Sequence, residues 1–412
     1  MAKMKILVID SGIGFCHAKK LADRNEVLYY TLWQDPFPEY KDFILGDGFE
    51  NITKVTHYEE HLDEVDLIVF TDCGFYKFPQ KLRDNGYNVF NGGEAEIIEL
   101  NRKEFHRLLD DLKLKYPKSY EVVGVDEVYE KLKGLLNGEK YYFLKVNTFR
   151  GDIETVAILT KEDLELRINE LKYKLGVKAN DFDFVIEEEV EGVEIGVDVF
   201  FNGEIVRPYL FTFEWQDCTL GRWISESVWD DILEKMSYYL NDTNYRGAFS
   251  LEGILTKEKE VYLLDATIRF AYPTSSAIFC QTIKNYDEVL LNCAKSEDVE
   301  LDLTSEYAIG VIITTEFSYN NWLAFKDNNA KAHYRRVIKK DGTIYLLPGD
   351  VGETIACSLV GEGRNLKEVF KDFEEQLGRL WILGMSYPYG VFDKFKQDID
   401  NLKKIGYNIF EI

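Results

Sequence analysis

The chain has 412 residues, a hydrophobic fraction of 46% and a formal net charge of −24. A single hydrophobic core stops growing near about 250–300 residues, so we expect two to four domains. The apolar and aromatic content excludes a disordered chain. The negative charge disfavours a dedicated nucleic-acid or anionic-membrane binder, because phosphate groups would repel it.

The amino-terminal residues predict an open α/β sheet. The apolar run Lys5–Asp10 leads into a turn with Gly12 and Gly14, and an apparent helix follows from Cys16 to Ala22. Amides at the start of such a helix can hold an anion, although a GxG pattern alone is a weak signal. The sequence shows neither a signal peptide nor an apolar run of about 18 residues, so we expect a cytoplasmic protein that does not span a membrane.

The cysteines and histidines give no sign of a metal site. The six cysteines are scattered without a CxxC pair, and the five histidines show no ligand spacing. This distribution is typical of a reducing compartment and argues against a zinc site.

The middle of the chain alternates helices with short strands. The apolar periodicity of residues 94–113 predicts one helix. Two strands and two helices, one of them at Lys161–Leu175, predict a small cap within residues 120–182. Near the carboxyl terminus, Asn365–Gly384 is predicted to be helical.

A polar turn at Lys257–Glu260 between two apolar runs predicts a β-hairpin. Folded about the middle of that turn, the hairpin places Glu252 opposite Asp265, which is unfavourable unless a cation lies between them. Strand alternation adds Thr267 and Arg269 to the face of Asp265. Hard oxygen ligands of this kind suit magnesium bridging phosphates. The alternative is a solvent-exposed hairpin edge with ordinary charges.

Two other polar features have both a functional and an ordinary interpretation. Lys145 lies in an apolar strand, where it could bind nucleotide phosphates or point to water from an edge strand. The acidic run from Glu187 to Glu194 is by default a solvated face. Alternatively, it joins two strands and presents backbone groups to adenine and a carboxylate to ribose.

In this order, the strand lysine, the acidic connection and the carboxylate hairpin resemble the ATP-grasp superfamily. Within it, the chain is most similar to the glycinamide ribonucleotide synthetase family, also called phosphoribosylamine–glycine ligase. The similar segments include GFCHAKKLA at Gly14–Ala22, IEEEVEGVE at Ile186–Glu194, YRGAFSLEGIL, LLDATIRF and the carboxyl-terminal tail. Phe90–Phe105 also resembles a family segment, and this match points to Lys103 as a phosphate-binding lysine.

The resemblance implies an α/β fold that is α+β in the ATP-grasp part. The implied boundaries are 1–102 for a Rossmann-like pre-ATP-grasp domain, 120–182 for a lid, 103–119 with 183–300 for the main domain, and 305–412 for a carboxyl-terminal α+β domain.

The resemblance also implies roles for individual residues. The implied ligands are Lys103 and Lys145 for the phosphates of ATP, Glu187 with the main chain of Glu188 and Val190 for adenine, Glu194 for ribose, and Glu252, Asp265 and Thr267 for Mg²⁺ or Mn²⁺. The implied catalytic residues are Lys145 and Arg269. The candidate substrate residues are Gly12, Gly14, His17, Arg150 and Arg222.

The sequence departs from the family mainly where the acceptor would bind. Phe15 and Cys16 replace a charged pair, residues 91–94 replace GPSK, and Arg150 is the only cation left in the lid motif. The TGGMG loop is replaced by FEWQDCTLGRWISES, and Thr267 stands where the family has Asn. Retained ATP positions with altered acceptor positions suggest the same chemistry on a different substrate.

The resulting hypothesis is an ATP-dependent carboxylate–amine ligase that forms an amide through an acyl phosphate. Its partners would be ATP and small-molecule carboxylate and amine substrates, without stable nucleic-acid binding, in a monomer or homodimer. Two alternatives remain: a genuine phosphoribosylamine–glycine ligase of purine biosynthesis, and a nucleotide-binding protein that has lost catalysis.

Overall fold

The computed structural model describes residues 3–31, 44–148, 155–319, 321–349 and 354–410. Within them the strands are β1 (Lys5–Asp10), β2 (Glu26–Thr31), β3 (Ile52–Lys54), β4 (Leu67–Phe70), β5 (Val89–Phe90), β6 (Ser119–Val123), β7 (Tyr142–Val146), β8 (Val156–Ile158), β9 (Asp183–Glu188), β10 (Val193–Phe201), β11 (Tyr209–Trp215), β12 (Cys218–Ile224), β13 (Gly247–Leu255), β14 (Val261–Thr267), β15 (Tyr307–Thr314), β16 (Leu323–Ala324), β17 (Lys326–Asp327), β18 (Ala332–Tyr334), β19 (Val337–Lys340), β20 (Thr343–Leu346), β21 (Ile355–Gly363) and β22 (Leu380–Trp381). The α-helices are α1 (Phe15–Ala22), α2 (Lys77–Asp84), α3 (Ile97–Leu100), α4 (Arg102–Leu112), α5 (Val125–Leu135), α6 (Lys161–Leu175), α7 (Asp230–Asp242), α8 (Thr274–Thr282), α9 (Tyr286–Lys295), α10 (Leu366–Leu377) and α11 (Val391–Lys404).

These elements form two compact units. The first unit contains residues 1–95, 194–250 and 267–412, and the second contains residues 96–193 and 251–266. The subdivision predicted from the sequence is finer than this division. The predicted lid falls wholly within the second unit, and the predicted carboxyl-terminal domain falls wholly within the first.

The first unit begins with a five-stranded parallel sheet in the order β3-β2-β1-β4-β5. The central strands β1 and β4 are almost entirely buried, which explains their unbroken apolar runs. The chain order reverses between β1 and β4, and ligands of open α/β sheets bind outside the carboxyl ends of strands at such a point. Asp10 ends β1 there, and Thr71 and Asp72 directly follow β4.

An antiparallel sheet of eight strands has the order β14-β13-β10-β11-β12-β15-β21-β18. The segment that replaces the family's TGGMG loop is the β11–β12 hairpin, in which Trp215 pairs with Cys218. Gln216 and Asp217 have φ of 48° and 57°, as a tight two-residue hairpin turn requires. The helix predicted to extend to Gly384 ends at Leu377, and a short strand follows it.

The second unit contains a four-stranded antiparallel sheet in the order β6-β9-β7-β8. Side chains of α5, α6 and the sheet share one buried cluster, which includes Val128, Leu144, Ile168 and Phe184. The prediction of a cap with only two strands is wrong, because β6 and β9 complete its sheet. The bounds predicted for helix α6 are confirmed.

The single helix predicted over residues 94–113 is broken at Asn101. Its backbone is extended, with φ −144°, and its side chain accepts hydrogen bonds from the amides of Lys103 and Glu104. Asn competes with helix propagation in this way and favours the N-cap position. The break places Arg102 and Lys103 in the first turn of a new helix.

The β13–β14 hairpin has a different register from the predicted one. The Thr256 amide donates to the Glu260 carbonyl at 2.9 Å, whereas folding about the middle of the turn would pair Thr256 with Val261. At the turn, the hairpin is therefore one residue out of the predicted register. The opposition of Glu252 and Asp265, several residues from the turn, stays a prediction.

Among the described residues, the helices are either too short or too polar to cross a membrane.

Candidate functional site

The buried ammonium group of Lys145 joins two carboxylates from distant parts of the second unit's sequence. Its Nζ lies 2.9 Å from Glu187 Oε2 and 3.3 Å from Asp265 Oδ2. The Lys145 side chain is 6% exposed and that of Glu187 is 2% exposed. This burial excludes the alternative of an edge-strand lysine that points to water. A buried charge of this kind persists only with paired partners.

A second cation, Arg102, binds the other oxygen of Asp265. Its Nη1 donates a hydrogen bond to Asp265 Oδ1. The carboxylate of Asp265 is thus held by two basic side chains, which supply the positive charge that the sequence reasoning assigned to a metal ion. The sequence reasoning missed Arg102, although its place directly after an N-cap residue and beside Lys103 was an available signal.

Glu187 is ionised more readily than its burial alone would allow. Burial raises the pKa of its carboxyl, but the His106 imidazole and the charge of Lys145 outweigh that effect and hold the pKa below its ordinary value. His106 Nε2 lies 3.5 Å from Glu187 Oε1, which is too long for a good hydrogen bond. Within the described part of the chain, that buried oxygen accepts no hydrogen bond. It is therefore available to a donor from a ligand.

Lys103, the predicted phosphate ligand, lies against carboxylates. Its Nζ is 3.1 Å from Asp183 Oδ1 and 3.5 Å from Glu121 Oε2. Its backbone amide donates to the side chain of Asn147 at 2.9 Å. A phosphate at this position would have to compete with two anions, and the role of Lys103 stays a prediction.

The connection between β9 and β10 carries the residues predicted to contact adenine. Glu188 Oε1 accepts hydrogen bonds from Lys118 Nζ at 2.8 Å and from Tyr120 OH at 2.7 Å. The Glu188 amide also donates to the carbonyl of Lys118, which directly precedes β6, so the backbone of Glu188 is held against that segment. Val190 is half-buried within the connection, and Glu194 is exposed on β10. Their nucleotide-binding roles stay predictions.

In the first unit, the predicted catalytic residue Arg269 is held at the carboxyl end of the parallel sheet. Its Nε lies 3.1 Å from Asp72 Oδ1, and Asp72 Oδ2 accepts a hydrogen bond from Ser11 Oγ at 2.7 Å. Ser11 and Asp72 follow β1 and β4, where the strand order reverses. The sequence reasoning missed Asp72, although its place directly after a buried strand was a usable signal.

The glycine turn after β1 binds an anion that belongs to the protein itself. The amide of Gly14 donates to Asp10 Oδ1 at 2.8 Å, and Thr71 Oγ1 donates to the same oxygen at 2.6 Å. A Cβ on Gly14 would lie 2.5 Å from the side chain of Thr71, so this position requires glycine. Gly12 has φ +96°, which also favours glycine. The substrate roles predicted for Gly12 and Gly14 stay predictions.

The other predicted substrate residues lie in different surroundings. His17 is buried, with its Nδ1 2.7 Å from the hydroxyl of Tyr286. Arg222 donates from Nε to Glu306 at 2.8 Å and stacks over the Tyr307 ring. Arg150 lies outside the described residues. None of these substrate roles is tested by these contacts.

A buried carboxylate in β10 was also missed. Asp198 is 4% exposed, and its Oδ1 accepts a hydrogen bond from Ser250 Oγ. Its Oδ2 accepts none from the described residues. Burial raises the pKa of Asp198 to about 6, and the nearby hydroxyls of Ser250 and Ser275 only partly oppose that shift. The signal in the sequence was a single acid within the apolar run VEIGVDVFF.

No family model and no curated protein matches this chain. Solved structures do match it over nearly its full length. Phosphoribosylamine–glycine ligase from Thermotoga maritima is 15% identical with a TM-score of 0.68, and the match covers 93% of this chain and 98% of that one. Biotin carboxylase from Campylobacter jejuni, in a β,γ-ATP complex, is 13% identical with a TM-score of 0.65 and 98% coverage of both chains.

The biotin carboxylase domain of the Hydrogenobacter thermophilus 2-oxoglutarate carboxylase, a dimer in complex with MgADP, ADP and bicarbonate, is 12% identical with a TM-score of 0.64. The match covers 98% of this chain and 96% of that one. These likenesses confirm the α/β fold that the sequence motifs predicted, because this chain shares the fold of these enzymes over 93–98% of its length.

Proposed function

We propose that the protein is an ATP-dependent ligase that joins a small-molecule carboxylate to an amine. The observation that carries this proposal is the buried bridge from Lys145 to Glu187 and Asp265. Three motifs that the sequence assigned independently to ATP and its metal ion meet there. The ATP-grasp fold supports the same interpretation, because the similar structures from C. jejuni and H. thermophilus contain a nucleotide.

The second unit offers complementary groups to a nucleotide. Glu187 Oε1 is a buried acceptor without a donor among the described residues, and the exocyclic amine of adenine is a donor of the required kind. Lys145 and Arg102 are cations that can exchange carboxylate partners for phosphate oxygens. Glu194, which directly follows the second unit's residue 193 in the chain, has an exposed carboxylate that would accept the ribose hydroxyls.

The proposed metal ligands suit a hard divalent ion. Glu252 and Asp265 supply carboxylate oxygens and Thr267 a hydroxyl, the donor set that Mg²⁺ and Mn²⁺ prefer. Asp265 would share its oxygens between the ion, Arg102 and Lys145. Bound Mg²⁺ would neutralise charge on the phosphate chain.

The residues of this chain would position and stabilise the reacting groups. A substrate carboxylate oxygen attacks the γ-phosphorus of ATP, the bond to ADP breaks, and an acyl phosphate forms. The amine nitrogen then attacks the acyl carbon and loses a proton, the bond to phosphate breaks, and an amide results. Lys145 and Arg269 would stabilise charge on the transferred phosphoryl group. This sequence of steps needs no nucleophilic serine or cysteine.

The identity of the substrates separates the main proposal from its alternative. The T. maritima phosphoribosylamine–glycine ligase has the same fold, which supports the purine-biosynthesis reaction. The replacements at Phe15, Cys16 and residues 91–94 support a different acceptor. An assay of ADP release with phosphoribosylamine and glycine, run beside pools of other carboxylates and amines, distinguishes the two.

The test of the proposed function is Asp265→Asn. It removes a charge that Lys145, Arg102 and the metal ion would share, so we expect ATP turnover to fall by at least about a hundredfold. The matched control is Asp302→Asn, an exposed acid paired with Lys284, which should leave turnover unchanged. Normal turnover by Asp265→Asn would refute the assignment. ATP binding without turnover under any substrate pool would favour the noncatalytic alternative.

A further inference from the structure

We propose that Cys16, His17 and Cys280 form a binding site for a soft divalent metal ion, with zinc as the expected ion. The site lies within the first unit. His17 is also one of the candidate substrate residues, but none of the three side chains takes part in the proposed phosphoryl-transfer or amide-forming steps. The proposal does not depend on the proposed function.

The three side chains are close enough for one metal ion to draw them together, and one pair already has the required spacing. One ligand atom from each residue lies within 4.8 Å of the other two, and all three residues are buried. Cys280 Sγ lies 3.4 Å from His17 Nδ1. In a tetrahedral zinc site, with Zn–S of about 2.3 Å and Zn–N of about 2.0–2.1 Å, a sulfur and a nitrogen ligand are about 3.5 Å apart. Two sulfurs and an imidazole favour zinc over magnesium.

The cluster is built on two packed helices. Cys16 and His17 are neighbours on α1, and Cys280 lies on α8. Helix α1 packs against α8, so the ligand atoms are held on regular structure rather than on a loop. The expectation against zinc rested on the spacing of cysteines and histidines along the chain. Such spacing could not detect Cys280, which is 263 residues away from His17.

A cavity of about 130 Å³ gives a metal ion access to the cluster. Cys16 and Cys280 line it, and His333 lines it beside them. His333 or a water molecule can therefore supply a fourth ligand, and the cavity is far larger than the about 10–15 Å³ that one water needs. Three basic side chains also line the cavity: Lys19, Lys20 and Lys331. Two thiolates and Zn²⁺ sum to zero charge, so these lysines do not face a net cation.

One hydrogen bond competes with the metal ion. The hydroxyl of Tyr286 lies 2.7 Å from His17 Nδ1, and the His17 ring stacks on Phe270 with 3.8 Å between the ring centroids. The lone pair of Nδ1 cannot both accept that hydrogen bond and coordinate a metal. Tyr286→Phe should therefore strengthen metal binding, an effect that a purely structural cluster would not show.

The experiment uses full-length protein, reduced and stripped of metal with a chelator, and titrated with Co²⁺ and then with Zn²⁺. We expect one ion per chain and a thiolate-to-cobalt charge-transfer band that Zn²⁺ displaces. Cys16→Ser and Cys280→Ser should each weaken binding by at least about tenfold, because loss of a ligand exceeds the usual effect of losing an outer-shell partner. Cys293→Ser, a buried free cysteine outside the cluster, is the matched control.

A second measurement keeps the test decisive if a cysteine variant fails to fold. In the native wild-type protein, Zn²⁺ should protect Cys16 and Cys280 from alkylation, as read by mass spectrometry of peptides. Absence of the charge-transfer band, equal affinity in the serine variants, or no protection by Zn²⁺ would each overturn the proposal. Formation of a Cys16–Cys280 disulfide in place of metal binding would overturn it as well.

Discussion

Lys145 neutralises two carboxylates in the interior of the second unit. Its ammonium group is buried between Glu187 and Asp265, and Glu187 is almost completely enclosed. Removing one member of a buried ion pair leaves the other charge without compensation, and this costs more than the pair contributes.

We therefore expect Lys145→Met to destabilise the protein by about 3–5 kcal/mol, measured by urea denaturation. In the double variant Lys145→Met, Glu187→Gln, the orphaned charge is gone and part of that loss should be recovered. Lys161, at the exposed start of α6, provides the matched control Lys161→Met, which should change stability by less than about 0.5 kcal/mol. Equal stability of Lys145→Met and the wild type would show that the bridge is not formed in solution.

The buried carboxyl group of Asp198 should make the stability of the protein depend on pH. Its pKa is raised by burial to about 6, so the folded state holds a proton that the unfolded state has already released. Below the unfolded-state pKa of 3.8, Asp198 does not change the free energy of unfolding. That free energy falls as the pH rises from there to about 6, and it remains at the lower value above pH 6. With about 1.36 kcal/mol per pKa unit, the loss is about 3 kcal/mol.

Asp198→Asn cannot ionise, so its stability relative to the wild type should improve by about 2.5 kcal/mol between pH 4 and pH 8. Denaturation of both proteins at each pH measures this difference. A constant difference across that range would show that Asp198 is not buried as a neutral acid.

Several site residues were predictable because their signals are local. A lysine inside an apolar strand and acids at both ends of a connection can be read from the sequence, and Lys145 and Glu187 were found in this way. Local signals marked Arg102 and Asp72, but nothing local showed their partners, which are Asp265 and Arg269. His106 was missed because its partner Glu187 is distant in the sequence. No spacing rule along the chain reveals such pairs.

At the scale of elements, the connection between β9 and β10 is fixed by a close backbone contact. A Cβ on Gly192 would lie 2.4 Å from the carbonyl oxygen of Leu255 in β13. Main-chain atoms cannot move aside as flexible side chains can, so this position tolerates only glycine without displacement of the connection.

Gly192→Ala should destabilise the protein by about 1–3 kcal/mol, the usual range for overpacking. It should also weaken ATP binding, since the displaced connection carries the proposed adenine and ribose ligands. Gly134→Ala is the control: Gly134 lies in α5 with open space around its Cβ position, so it should stabilise by about 0.5–1 kcal/mol. Urea denaturation and calorimetry of ATP binding measure both effects, and unchanged values for Gly192→Ala would contradict the contact.

The ends of helices were predicted well where the apolar periodicity stops at the helix end. They were predicted less well where a side chain ends the helix although the periodicity continues. Helix α6 has the predicted ends, helped by a capping box at Thr160 and Asp163. The break at Asn101 and the early end at Leu377 were missed, because apolar periodicity continues past both positions. The hairpin register was missed because Lys259 adopts φ +62°, which sequence alone does not indicate for a lysine.

At the scale of the whole molecule, the order of motifs predicted the fold better than any single motif did. The likeness to T. maritima phosphoribosylamine–glycine ligase covers 93% of the chain at 15% identity. Fold-level order is retained when individual side chains are replaced, since many sequences can fill one set of core positions. The acceptor substrate could not be predicted, because it depends on the replaced side chains.

Nucleotide binding can be tested without knowledge of the substrates. A ligand that binds only the folded state at a hundred times its Kd raises the free energy of unfolding by about 2.7 kcal/mol. We expect MgATP to do so in thermal or chemical denaturation, and the effect to be smaller for Asp265→Asn. No stabilisation of the wild type at millimolar MgATP would contradict the nucleotide site.

The second unit is assembled from two separated stretches, residues 96–193 and 251–266. During synthesis, a nascent chain that has reached residue 193 contains Lys145 and Glu187 but not Asp265, which emerges several seconds later at about 5–20 residues per second. Until Asp265 has been synthesised, Lys145 can pair only with Glu187. We therefore expect this unit to be completed only after the β13–β14 hairpin has been synthesised, and ribosome-stalled chains ending before and after that hairpin should differ in protease resistance.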